Sequence, residues 1–199
     1  MRPDKRAWDE YLTAFTKIIQ KVSAQFSNVE PKLLPIRLYV AGGAALHLWT
    51  GARLTEDIDG VFSRRVALNE DIKVAYKDPD GRARLLYFDR NYNDTLGLMH
   101  ENAYENSEPV ELPGTDARVL EVRVLSPLDL AVSKLSRFND LDREDIGVLA
   151  REKLIDAKSL RKRAEEALAG YVGNVDPLRT SIDLACKLVA AAQSRGGGR

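Results

Sequence analysis

The stretch Leu38-Tyr39-Val40-Ala41-Gly42-Gly43-Ala44-Ala45-Leu46-His47-Leu48-Trp49-Thr50-Gly51-Ala52-Arg53-Leu54-Thr55-Glu56-Asp57-Ile58-Asp59 decides how this chain is read. With Ile36 and Arg37 before it, it opens as a short strand of β-forming residues that stops at the glycine pair. Ala44 to Trp49 are good helix formers, and Gly51 stands where a helix C-cap belongs. Asp57 to Phe62 then alternate polar with apolar side chains, the pattern of a strand with one wet face. Residues two apart on a strand share a side, so Asp57 and Asp59 aim two carboxylates at one spot. Such a pair repels itself unless a cation sits between. A hard divalent ion, Mg²⁺ above all, takes one or two carboxylates and fills its shell with water and substrate phosphates. Gly42 and Gly43 supply the complement, because a backbone without Cβ atoms approaches a polyphosphate closely and the helix start behind it offers N–H groups and a positive dipole end. Gly43 and Asp57 are fourteen residues apart.

On the N-terminal side, Trp8, Tyr11, Leu12, Phe15, Ile18, Ile19, Val22 and Phe26 step by three and four, which predicts an amphipathic helix over about 6–26. Pro31 and Pro35 end it. On the C-terminal side, strands are expected at Arg84 to Asp89 and Val119 to Leu125, with Asn91 to Pro113 mainly loop. From Ser126 the pattern becomes helical: Ser126-Pro127-Leu128-Asp129 is an N-cap followed by a first-turn proline, and further helices are expected at about 142–150, 156–170 and 176–193. The expected class is α+β, a small mixed sheet flanked by helices with a C-terminal helical region. The expected divisions are an N-terminal helix at 1–30, a core at 31–125, a helical region at 126–194 and a flexible tail at 195–199.

Length and composition bound the rest. A chain of 199 residues buries about 70% of its unfolded surface, enough for a core without metals or disulfides. Lys and Arg number 30, as do Asp and Glu, so the formal charge is zero; a disordered chain and a strongly basic coat protein are both excluded. Cys186 is the single cysteine, which rules out an internal disulfide and suits a reducing compartment. Met1 to Trp8 carry no apolar segment of a secretory signal, and Leu38 to Ala52, the longest uncharged stretch, is too short to span a membrane. The expected setting is cytoplasmic, with no membrane partner. Two isolated histidines, His47 and His100, do not make a metal site.

Gly42-Gly43 followed by Asp57-Ile58-Asp59 resembles the polymerase-β-type nucleotidyltransferase superfamily. More narrowly, Gly42-Gly43-x-Ala45-Leu46-x-Leu48-x-x-Gly51-x-Arg53-x-Thr55-x-Asp57-Ile58-Asp59 is similar to the small bacterial nucleotidyltransferases related to AbiEii toxins of toxin–antitoxin and phage-defence systems. Leu125-Ser126-Pro127-Leu128-Asp129-Leu130-Ala131-Val132-Ser133-Lys134-Leu135, with Arg143-Glu144-Asp145-Ile146, is similar to the C-terminal half of that group. The resemblance spans about residues 36–150. It implies transfer of a nucleoside monophosphate from an NTP to a hydroxyl, with Asp57 and Asp59 holding Mg²⁺ and a third carboxylate from a neighbouring strand as a further metal and catalytic group. An apolar strand ending in an acid marks Asp89 for that role. Glu121 is the rival, and turn-making with Asn91 and Asn93 is the plain structural reading of Asp89.

Lys134 has Leu130, Ala131, Leu135 and Phe138 as helix neighbours, so its cation is semi-buried and wants an anionic partner. The resemblance makes it a nucleotide-phosphate or catalytic lysine, with Arg137 one turn on and Asp145 orienting it or acting near the metal; a snorkelling surface lysine and a charged helix start are the bland alternatives. Arg53 and Thr55 are nucleotide-binding candidates, unless Arg53 pairs with an acidic neighbour such as Glu56. Where many superfamily members have Gly-Ser, this chain has Gly43-Ala44, so backbone amides must serve the triphosphate. The expected acceptor is RNA such as tRNA, and the expected partners are the NTP and a cognate antitoxin. A non-catalytic nucleotide-sensing or protein-binding module, and a transferase acting on a protein or small molecule, are the alternatives. The run Arg151, Lys153, Lys158, Arg161, Lys162, Arg163 reads either as a local RNA-binding surface or, more simply, as a solvated helical face.

Overall fold

A computed structural model describes residues 9–69, 71–94 and 97–196. The chain is α+β and forms two compact units. One comprises the described residues up to Asn93 together with Ser107–Val124; the other comprises those of Asp94–Asn106 and from Leu125 onward.

The first unit holds both sheets. Its elements are α1 (Asp9–Ala24), β1 (Ile36–Val40), α2 (Gly42–Thr50), β2 (Asp57–Ile58), β3 (Gly60–Phe62), β4 (Lys73–Lys77), β5 (Ala83–Phe88), β6 (Glu108–Pro109) and β7 (Leu120–Val124), with a 3₁₀ turn at Pro31–Leu33. One sheet has the order β3-β1-β7-β6, with β1 and β7 parallel and the outer pairs antiparallel. The other has the order β2-β5-β4, parallel then antiparallel. Ile36, Leu38 and Val40 of β1 and Leu120, Val122 and Val124 of β7 are buried in register, as period-2 alternation requires. α1 packs on β4 and β5, burying Tyr11, Ala14, Phe15, Ile18, Ile19 and Val22, the stripe its spacing predicts; Trp8 lies outside the described residues. α2 is apolar all round, and Gly43 to Leu48 are buried, as befits a helix inside a core.

Three features depart from expectation. The strand expected over Asp57 to Phe62 is divided between the sheets: Asp57 and Ile58 pair with β5, Gly60 to Phe62 pair with β1, and Asp59 is the joint. Gly60 permits the crossing, because a Cβ there would stand 2.8 Å from Leu38 Cδ1. β4 was not foreseen: Lys-Val-Ala-Tyr-Lys buries only Tyr76, so it lacks the apolar run that marks a strand. β6 is a two-residue strand in the stretch read as loop.

The second unit is helical: α3 (Pro127–Ser133), α4 (Asp140–Arg151), α5 (Ala157–Leu168) and α6 (Asp176–Gly196). Ser126 caps α3 as predicted, its hydroxyl accepting from Asp129 N–H at 3.1 Å. α6 packs on α4 and α5 and buries Leu178, Ile182, Ala185, Cys186 and Val189. Residues 195 and 196, expected in a polar tail, are the last of α6; residues 197–199 lie outside the described residues. Among the described residues no helix is long and apolar enough to cross a membrane.

Candidate active site

β1 delivers the chain to Gly42, whose φ of +58° is left-handed and opens α2 without a side-chain cap on its first N–H groups. Glycine is needed twice over. L-residues avoid this conformation, and a Cβ on Gly42 would lie 1.9 Å from Asp59 Oδ2. The carboxylate of Asp59 therefore rests on the Cα of the glycine bend. Ala41 N–H donates to the Asp59 carbonyl at 2.9 Å, which fixes that approach from the backbone side. Gly43 faces the other half of the site: a Cβ there would meet Thr55 Cβ at 2.9 Å and both guanidinium nitrogens of Arg53 at 3.2 Å. The Thr55 hydroxyl donates to Asp57 Oδ1. Gly42, Gly43, Arg53, Thr55, Asp57 and Asp59 are thus one cluster. Glu56, the neighbour considered for Arg53, lies 3.6 Å from Arg84.

The loop between α2 and β2 is held by His47, one of the two isolated histidines. His47 is buried and stacks edge-on against Tyr11, ring centroids 4.6 Å apart. Its Nδ1 lies 2.7 Å from the Ala52 carbonyl and 3.2 Å from the Arg53 carbonyl. Carbonyl oxygens only accept, so Nδ1 carries the proton and donates to both. The ring thereby anchors the backbone from which Arg53 reaches Gly43. A helix residue hydrogen-bonding a loop five and six positions on leaves no periodic trace in sequence.

Asp89 follows directly on β5, and its N–H donates to the Ile58 carbonyl at 3.1 Å, one step beyond the Ile58–Phe88 pair. Its Oδ1 accepts from Asn91 N–H at 2.9 Å, so Asp89 does make the turn. Tyr87, in register with Asp57, has its hydroxyl raised above the ordinary value by the charge of Asp57 first, then by burial and by Asp89. Among the described residues no group of three or more His, Cys, Asp or Glu side chains stands ready to hold a metal ion. What the donor set offers a hard cation is the pair Asp57 and Asp59 beside a bend that has room only because Gly42 lacks a side chain. That fits an ion sharing its shell with substrate phosphates and does not fit a closed cage.

The rival acid, Glu121, is engaged elsewhere. Oε2 accepts from Arg37 at 2.9 Å and Oε1 from Arg123 at 2.5 Å. Burial pushes this carboxyl up, but the two guanidiniums outweigh it and hold it below the usual range.

In the helical unit, Lys134 is buried and its Nζ donates to Asp145 Oδ2 at 2.6 Å, with Asp142 Oδ1 at 3.8 Å. Arg137 makes a two-pronged bond to Asp142, 2.8 Å on each arm, and Asp142 also completes the capping box of α4 with Asn139. Lys134, Arg137 and Asp145 are therefore grouped with one another and with Asp142 in the first turn of α4. Half of the basic run is neutralised: Arg161 pairs with Asp183 at 2.8 Å, Lys162 with Glu166 at 3.8 Å and Arg163 with the buried Asp129 at 2.7 Å.

No curated protein and no solved structure matches the chain significantly. A family model does match, over residues 17–179, and that range contains both β-sheets, the glycine bend and the acid pair. The chain belongs to the family described as nucleotidyltransferase of unknown function (DUF6036).

Proposed function

We propose that the chain is an Mg²⁺-dependent enzyme that moves a nucleoside monophosphate from an NTP to a hydroxyl of an RNA such as tRNA, in the toxin–antitoxin or phage-defence setting of the AbiEii-like group its motif resembles, with an antitoxin as partner. One observation carries the reading: the Asp59 carboxylate lies on the Cα of Gly42 at the uncapped head of α2, and Asp57 is tied through Thr55 to the neighbouring Gly43. Anion cradle and cation platform are thus side by side, which nucleotidyl transfer requires, since this chemistry rests on positioning and charge neutralisation.

The N–H groups at the start of α2 bind triphosphate oxygens, aided by the dipole end, and Arg53 over Gly43 adds a cation. Thr55 holds Asp57 in one rotamer, leaving its second oxygen for a metal. Asp57 and Asp59 would hold Mg²⁺, whose chemistry there would be Lewis-acid polarisation of the phosphate and neutralisation of charge on the pyrophosphate leaving group. Asp89 accepts the proton of the acceptor hydroxyl as its oxygen bonds to the α-phosphorus and the bond to pyrophosphate breaks. Engagement of both Glu121 oxygens by arginines supports Asp89 over its rival. Lys134 and Asp145 hold α3 to α4 as a buried ion pair, and Arg137 backs them through Asp142.

Incubation with each α-labelled NTP, Mg²⁺ and total RNA or lysate tests this. Labelled RNA supports it; labelled protein or small molecule redirects the acceptor. A second reading, nucleotide sensing without turnover, draws on the lack of a metal-ready three-acid group among the described residues; it predicts NTP binding with no label transferred.

A further inference from the structure

In the sheet-bearing unit, most described arginines are spent. Arg37, Arg82, Arg84, Arg90, Arg118 and Arg123 each hold a carboxylate at 3.4 Å or less. Arg64 and Arg65 are exposed and hold none among the described residues, and the same is true of the Lys73 ammonium. These three cations line one open groove of about 1020 Å³. Tyr87, 41% exposed, and Leu85, 45% exposed, also line it, side by side on the outer face of β5. Asp89 stands in its wall, and Asp71, its other carboxylate, is already held by Arg90 at 3.1 Å.

Unpaired cations beside an exposed aromatic ring are what a single strand recognises: phosphates take the charge and a base stacks on the ring. A duplex, read by shape across its groove, has no base face to offer Tyr87. The volume is at the upper end for a small-molecule site, so it suits more than one nucleotide. We infer that this groove is the acceptor site and takes the end of a single-stranded RNA, with backbone phosphates on Arg64, Arg65 and Lys73, a base on Tyr87 and the terminal hydroxyl at Asp89. The inference rests on the nucleotidyltransferase reading for its acceptor chemistry, while strand binding is testable without it.

The experiment is fluorescence anisotropy of a short labelled single-stranded RNA with the full chain in EDTA, so that neither metal nor NTP takes part. The Arg64→Ala/Arg65→Ala protein binds about tenfold or more weakly, and its log K against log salt loses about 0.7 of slope for each cation removed. Tyr87→Ala weakens binding, and Tyr87→Phe, which keeps the stacking face, restores it. Arg82→Ala/Arg118→Ala, which removes the same charge from paired arginines, binds as wild type. Exposed positions make misfolding a poor explanation, and thermal melting of each variant checks it. Equal binding by the Arg64/Arg65 variant, an equal loss in the Arg82/Arg118 variant, or preference for duplex RNA overturns the proposal. A DNA strand of the same sequence binding more tightly overturns its RNA assignment. Calorimetric titration with Mg²⁺ and NTP separates the two claims: RNA bound without NTP binding sinks the catalytic reading alone, and NTP bound without RNA sinks the groove alone.

Discussion

Gly42 carries two constraints at once, a left-handed φ of +58° and a carboxylate against its Cα. Gly42→Ala therefore costs about 1–3 kcal/mol of backbone strain and pushes Asp59 aside. A displacement of about 1 Å lowers turnover roughly 100-fold, read as initial rates of label transfer beside a melting curve. Tyr11 makes the opposite case. Its buried hydroxyl has no hydrogen-bond partner among the described residues, and burial foremost, then the charges around it, raise it far above its ordinary value. Removing an unsatisfied buried donor is favourable, so Tyr11→Phe stabilises by about 1 kcal/mol in urea unfolding; a loss of that size contradicts the packing described. Glu121 is held below its usual carboxyl range, so its pairing with Arg37 and Arg123 adds stability above the unfolded value and loses it as pH falls through the folded one. The stability gap between wild type and Glu121→Gln is therefore open at neutral pH and closes under acid, measured by denaturation at both. The approach of Asp59 to Gly42 was foreshadowed by the glycine pair and the two acids fourteen residues on, since both stand out in sequence as residue types. The capture of Glu121 by Arg37 was not, because it depends on β1–β7 register across 84 positions of sequence.

At the scale of elements, α1, β1, α2, β5 and β7 could be read, since each is an apolar stripe or run bounded by punctuating residues such as glycine, proline or an acid. Gly51 does adopt φ of +66° and closes α2 on the His47 carbonyl. β4 was hidden by lysines at both ends, because a strand that buries one side chain in five leaves little periodic signal. The joint at Asp59 was hidden for another reason: Asp57, Ile58 and Asp59 alternate as a single strand would, and only pairing partners reveal that two sheets share the segment. The α3–α4 pairing yields a sharp test. Lys134→Met leaves Asp145 buried without its cation and destabilises by about 3–5 kcal/mol, whereas Lys134→Met/Asp145→Leu recovers most of that loss. Urea midpoints measure both; a single variant within about 1 kcal/mol of wild type contradicts the buried pair.

For the whole molecule, a formal charge of zero means that an anionic acceptor is drawn by local cations and not by a net field. Of the basic run from Arg151 to Arg163, the one positive cluster visible in sequence, Arg161 and Arg163 are matched by acids brought from α6 and α3, and Lys162 by Glu166 one turn on in its own helix. Arg64, Arg65 and Lys73 look unremarkable in sequence and become distinctive only when the pairing of their neighbours is known. The two units each have their own helices or sheets, and the acid pair lies wholly within the first. The account's central claim is that Asp57 and Asp59 act together beside the Gly42 bend. Its most direct test is transfer of label from an α-labelled NTP to RNA, with Mg²⁺, by wild type, Asp57→Asn and Asp59→Asn. Label in the wild type and background in both variants, with all three proteins melting alike, is the predicted result. Label transferred by Asp59→Asn at the wild-type rate contradicts it.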